Sequence, residues 1–290
     1  MIRATIISGK PTFVASVKSV AVYLDNWAVK TFAKNNPQLG ERFIRAIRSG
    51  GDILFSTSHA IEALGPQDGS SDAFKSFLNQ VGPHWYPIAG NIFAVLEREQ
   101  RGMSRTDCAY GEELLTAYFQ TNTASNLPGS GKVIDLSSES FFKFGNVIDF
   151  SKDKREYLLG KCAEFDRAIL EYVTKLRVKS KKKPAWLDIV LPAIPFTPSS
   201  AASFAFVNLM RELIKDTGYQ IKKGDAMDLQ HAVMATAFSN FAALDKQWKR
   251  RVENLPKPNQ NPRVYYEPEL EMMVTDIEAA LAQLNPGQAS

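Results

Sequence analysis

The chain reads as an α/β protein, a parallel sheet flanked by helices with a mostly helical insertion. Three observations predict this. Strand, helix, strand and helix patterns alternate between residues 19 and 65, as in doubly wound sheets. The same alternation returns over residues 220–285. Between them, residues 66–219 carry mainly helical periodicity. Residues 19–65 and 220–285 are therefore expected to form one discontinuous three-layer core, with 66–219 packed on it.

Each element has its own justification. Residues 19–25 (Ser-Val-Ala-Val-Tyr-Leu-Asp) are β-branched, aromatic and apolar on both faces, as in a buried parallel strand. A helix pattern runs from Trp27 to Arg48 and stops at Gly50-Gly51. Asp52–Ser56 is a second strand; Thr57 or Ser58 then caps a helix carrying His59 and Glu62. Gln67–Ser71 reads as a loop, followed by short helices at 72–81, 90–100 and 109–120 and a polar loop at 122–131. His84, in Gly-Pro-His-Trp-Tyr-Pro, reads as a loop residue. A long helix spans 152–178, with Leu158, Cys162, Phe165, Ile169, Val173 and Leu176 at helical spacing. Lys179–Pro184 breaks it, and another amphipathic helix covers 199–215. The tail supplies a helix at 225–238, a strand at 241–244, a helix at 245–254, a strand at 263–266 and a last helix at 267–284.

Composition bounds the function classes. With 44% hydrophobic and 23% charged residues the chain has the balance of a globular protein. A net charge of +4 leans mildly toward anionic partners. Two cysteines, Cys108 and Cys162, exclude a disulfide framework, and no Cys/His zinc spacing occurs. The first apolar stretch is too short for a secretory signal, and no apolar run reaches the roughly 18 residues of a membrane span. A cytoplasmic protein with no membrane partner is expected.

Four acids stand out by position. Asp25 ends the first strand and Asp245 ends the strand at 241–244. Glu62 lies on the helix after the second strand, and Asp228 lies in Gly224-Asp-Ala-Met-Asp-Leu-Gln-His-Ala232 near a helix start. Carboxylates gathered at the carboxyl edge of a parallel sheet suit Mg²⁺ or Mn²⁺, hard cations that take oxygen ligands. Carboxylates sharing a cleft also repel one another unless a cation lies between them.

In order and placement these segments resemble the PIN-like nuclease family, in its bacterial, toxin-like members, over about residues 19–65 and 220–285. The resemblance implies a PIN-like three-layer sheet and a metal-dependent endoribonuclease that leaves a 3′-hydroxyl. It implies Asp25 and Asp228 as direct or water-mediated ligands of a first metal. Glu62 would hold a metal or orient its water, and Asp245 would complete the site. Asn26, Thr57, Asp225 and His231 are candidates to support these ligands. Trp27, Lys246, Lys249, Arg250 and Arg251 are candidates to contact nucleic acid, since a scissile strand needs phosphate contacts beside the acids. RNA is the implied substrate, with an antitoxin-like protein inhibitor and a homodimer as further partners. A structure-specific DNA nuclease and a catalytically silent RNA- or protein-binding module are the alternatives.

Each residue also has a structural reading. Asp25, Asp225 and Asp245 are placed to cap helices, and Glu62 to lie on a solvated helix face. His59 and His231 stand three residues from Glu62 and Asp228, a spacing also used by di-iron bundles, but the strand patterns at 20–25 and 52–56 oppose a bundle. Leu127–Val133 resembles part of a phosphate loop, with Asn126 and Val133 in place of its glycine and hydroxyl residues. The run Lys175–Lys183 is explained by a helix C-terminus, which favours cations.

Overall fold

Strands β3 (Val20–Leu24) and β4 (Gly51–Ser56) are buried at every residue. Burial on both faces is what a parallel sheet covered by helices requires. The computed structural model describes residues 2–7, 10–63, 70–114, 148, 155–256 and 262–284, with the backbone alone of 2–14, 70, 71 and 155. The expected loop at 122–131, the phosphate-loop-like fragment and most of the helix expected at 109–120 lie outside these residues.

The chain divides into two compact units: Met1–Gly90, Tyr110–Arg155 and Glu267–Ser290 form one, and Asn91–Ala109 with Glu156–Tyr266 the other. Strands β3 and β4 belong to the first unit. β6 (Phe241–Ala243) and β7 (Arg263–Tyr265) belong to the second.

In the first unit β4 pairs in parallel with β3 (Val22↔Ile53) and with β5, Trp85–Ile88 (Leu54↔Tyr86). The fold class is thus α/β with parallel strands. β5 was not anticipated, although His84 before it is the loop residue expected. The strand is four residues long and contains Pro87, which a strand tolerates at an edge where no ladder N–H is needed. An antiparallel hairpin of β1 (Ile2–Ile7) and β2 (Lys10–Ala15), pairing Ile2 with Ala15, was also not anticipated.

The helix expected from Trp27 to Arg48 is split. An α-helix over Asn26–Lys30 widens into a π-helical turn at Thr31–Asn35, and a second α-helix starts at Pro37. Proline disfavours helical geometry in the residue before it. Asn36 accordingly leaves the helix (φ −140°, ψ 72°) and caps the next one, accepting from the Leu39 N–H at 3.2 Å. The second segment then folds back so closely that a Cβ on Gly40 would lie 2.3 Å from the Phe32 carbonyl oxygen. Phe32, Phe43 and Phe77 stack beneath this corner, with ring centroids 4.8–6.2 Å apart. The C-terminal helix Leu270–Leu284 joins the same unit, tied to helix Pro37–Arg48 by the two-pronged Arg42–Glu278 pair.

In the second unit β6 and β7 pair in parallel (Ala242↔Val264), flanked by helices Arg155–Lys182, Ala201–Lys215, Asp225–Phe238 and Lys246–Glu253. The long helix ends where Pro184 opens a new short one, Pro184–Val190. Helix ends in this unit are closed by charged side chains from elsewhere in it. Arg105 donates to the Ala237 carbonyl, and Arg177 to those of Leu213 and Tyr219. Glu99 accepts from the Ala202 and Ser203 N–H groups at 2.7 and 2.8 Å. Among the described residues no helix is long and apolar enough to cross a membrane.

Two glycine-to-alanine changes should act in opposite directions. Gly40→Ala gains about 1 kcal/mol of helix propensity but places a Cβ against backbone, an overpacking that costs about 1–3 kcal/mol or more. A net loss is expected in chemical denaturation. Gly160→Ala lies in a helix with nothing within 4 Å of the added atom and should stabilise by up to about 1 kcal/mol.

Candidate functional site

The acids at the strand ends are set by one local device. Asp25 follows β3 in extended geometry (φ −63°, ψ 156°), and its Oδ1 accepts the Asn26 N–H at 2.6 Å. Asp245 follows β6 with nearly the same backbone (φ −62°, ψ 159°), and its Oδ1 accepts the Gln247 and Trp248 N–H groups at 2.9 and 2.8 Å. Both are helix caps at the carboxyl end of a parallel strand. The cap of Asp245 uses Oδ1 for both bonds. The carboxyl ends of strands are where open α/β sheets bind ligands.

In the first unit Asp25 and Glu62 both act on the buried Tyr23. Burial, then the carboxylates of Asp25 and Glu62, hold the Tyr23 phenol well above its ordinary range. Glu62 is half-buried and faces a hollow of about 30 Å³ that Asn26, Lys30 and Lys34 also line. Thr57 opens the helix carrying Glu62, and a Cβ on Gly90 would lie 1.9 Å from its hydroxyl oxygen, so Gly90 permits that close approach. His59 belongs to the core: it is 1% exposed, packs on Tyr23 and Phe55, and accepts the Ser56 N–H at Nδ1 (3.1 Å). Trp27 is half-buried, and its indole N–H has no partner among the described residues. His84 lies in the connection into β5, its Nδ1 3.3 Å from the Gly51 carbonyl.

In the second unit Asp228 stands apart from its own helix. Every residue of Asp225–Phe238 is buried except Met227 and Asp228. Four alanines there, Ala226, Ala232, Ala235 and Ala237, are fully buried, leaving slender positions for close neighbours. His231 is 2% exposed. Asp225 is committed to structure: it accepts from the Tyr219 hydroxyl at 2.6 Å and the Lys222 N–H at 2.7 Å. Burial, Asp225 and more weakly Asp228 push the Tyr219 phenol strongly up, with Arg251 opposing.

The basic run after Asp245 divides into two kinds of residue. Lys246 and Lys249 lie over the Tyr266 ring, 5.9 and 5.2 Å from its centroid, and Arg250 is exposed. Arg251 is buried, paired with Asp216 at 3.0 Å and stacked on Tyr219 and Trp248. Arg251 therefore holds the fold together, and the surface cations of the run are Lys246, Lys249 and Arg250. In the other basic run, Lys179 covers the Trp186 ring at 5.4 Å.

Three residues had no mark in the sequence. Tyr23 is hidden inside a strand. Asp166 is one acid among several on a long helix, yet its Oδ1 accepts the Gly224 and Ala226 N–H groups and closes the start of the helix that carries Asp228. Glu113 accepts the Gly90 N–H at 3.0 Å, just past the carboxyl end of β5. Among the described residues no group of three or more His, Cys, Asp or Glu side chains is placed to hold a metal ion. No family model, curated protein or solved structure matches the chain.

Asparagine caps helices as well as aspartate does, whereas alanine costs about 0.5–2 kcal/mol. Asp245→Asn should thus unfold within about 0.5 kcal/mol of wild type, and Asp245→Ala about 1 kcal/mol lower, by urea titration. Alkaline pH gives a second check. Tyr219 has a folded pKa raised above the ordinary 10.0. Its contribution is whole below that pH and is lost as pH rises beyond it through the folded value. The stability difference between wild type and Tyr219→Phe should be constant up to about pH 10 and shrink above it.

Proposed function

We propose that the chain is a Mg²⁺- or Mn²⁺-dependent endoribonuclease of PIN-like type, with Asp25, Glu62, Asp228 and Asp245 as the acids that carry the chemistry. One observation carries the proposal most: the matched strand–Asp–helix turns, which set Asp25 and Asp245 at the carboxyl ends of β3 and β6 in the same backbone conformation. The partial exposure of Asp228 on a largely buried helix supports it, as does the influence of both Asp25 and Glu62 on Tyr23.

The donor chemistry, rather than the placement, suits the ion, since among the described residues no three such groups are gathered to hold it. All four groups are carboxylates, hard donors suited to Mg²⁺ and Mn²⁺. Asp25, Asp228 and Asp245 would hold the ion, and Glu62 would hold it or orient the attacking water. A bound divalent ion supplies a water of lowered pKa and neutralises phosphate charge. Asp25 and Asp245 are fixed by their caps, so their carboxylates need little reordering on binding. Asp166 and Asp225 keep the start of the Asp228 helix closed.

End-labelled single-stranded RNA tests the proposal, using wild type, Asp25→Asn and Asp228→Asn in Mg²⁺, Mn²⁺ and EDTA. Cutting should require metal. Loss of a supporting partner to a metal ligand costs 10–100-fold, so loss of a ligand should lower the rate by at least about a hundredfold. Mn²⁺ binding followed by electron paramagnetic resonance should weaken in both variants. Folded wild type that neither cuts RNA nor binds Mn²⁺ would sink the proposal; cutting of flapped DNA alone would move it to the DNA nucleases.

A further inference from the structure

We infer that Lys30 and Lys34 form a phosphate-holding subsite that takes the backbone of a single-stranded nucleic acid beside Asp25 and Glu62; this rests on the nuclease proposal above. The hollow at Glu62 has a buried apolar floor that includes Ala63 and Phe74, and its exposed lining residues are Lys30 and Lys34. Asn26, Lys30 and Lys34 recur at every fourth residue from the position after Asp25. All three line one hollow, so they share one side of this segment across the α-helix and the π-helical turn. The row thus leads from the candidate catalytic edge outward as one amide followed by two ammonium groups.

Two features separate these lysines from ordinary surface charge. Among the described residues neither makes an ion pair or lies over an aromatic ring, although both line the same hollow as a carboxylate. The segment that carries them is also unusual: Lys30 ends the α-helix and Lys34 lies in the π-helical turn before the Asn36 break. Single π turns are frequent at functional sites. The need for such cations follows from charge. Asp25 and Glu62 repel a phosphodiester, and a strand can be held beside them only if cations compensate for its phosphates. At about 30 Å³ the hollow is too small for a base, so a strand would pass over it with its phosphates at the lysine rim.

The test is the salt dependence of binding. Each phosphate neutralised on a single strand contributes about 0.7 to the slope of log K against log salt. Lys30→Ala/Lys34→Ala should therefore lower that slope by about 1.4 for a labelled oligouridylate, measured without divalent metal. In Mg²⁺ the same variant should raise KM several-fold with kcat nearly unchanged. Both residues are exposed, so melting should match wild type. Lys181→Ala/Lys182→Ala removes equal charge and should leave the slope as it is. Equal slopes for wild type and the Lys30/Lys34 variant, or an effect no greater than that of the Lys181/Lys182 variant, would overturn the subsite while leaving the nuclease proposal standing. Wild type that cuts no RNA and binds no oligouridylate would remove both.

Discussion

Much of this molecule depends on how a parallel strand becomes a helix. At the end of β3 and of β6 the chain must turn while the next helix exposes N–H groups with no partner inside it. An aspartate in extended geometry meets both needs, continuing the strand direction and accepting those N–H groups at its carboxylate. The choice has a chemical consequence. A carboxylate fixed at a strand's carboxyl end is an acid in the place where α/β folds bind ligands, and its cap removes rotamers that a ligand would otherwise have to freeze. One residue type thus serves folding and candidate chemistry together, and a helix-capping aspartate should not be set aside as merely structural.

The second unit applies the same rule with side chains that come from a distance. Glu99 and Asp166 close helix N-termini, and Arg105 and Arg177 close C-termini. Each matches the sign of the helix end it meets. This explains why several charges conspicuous in the sequence play no surface role. Arg177 sits in a run of lysines, and Arg251 in a run of cations beside Asp245, yet both are spent inside the unit. Asp225 lies within the acidic segment and is consumed by Tyr219 and Lys222.

What the sequence made legible follows from these physics. The apolar runs over β3, β4 and the 225–238 helix are strong because those elements are buried almost throughout, and they appear where expected. β5 was illegible because Pro87 within it and Pro83 before it suit a loop, and only pairing with β4 makes it a strand. The break at Asn36 could have been read from Pro37, but the close return at Gly40 needs the position of Phe32, which no local pattern carries. At the candidate site the order of the acids was readable, since strand ends and helix starts have local signatures. The partition of roles was not. Whether an arginine caps a helix or meets a ligand is decided by residues 35 to 130 positions away, as with Arg251–Asp216 and Arg105–Ala237.

The same contrast separates the two basic surfaces. The larger is a cleft of about 300 Å³ lined by Lys215, Arg250 and Arg251 with Glu212 and Asp216. Volume and charge count favour it for an anion, but two considerations oppose this. Arg251 is paired with Asp216, and Glu212 brings a further negative charge to the lining. The cleft also gathers the last turns of helices Ala201–Lys215 and Lys246–Glu253, where the helix dipole is negative. Its cations are largely answered by the fold itself. Lys30 and Lys34 border a far smaller hollow, yet their charge is not answered by any ion pair among the described residues. Attraction for a phosphate is set by charge left uncompensated, so the smaller hollow is the better candidate for holding one.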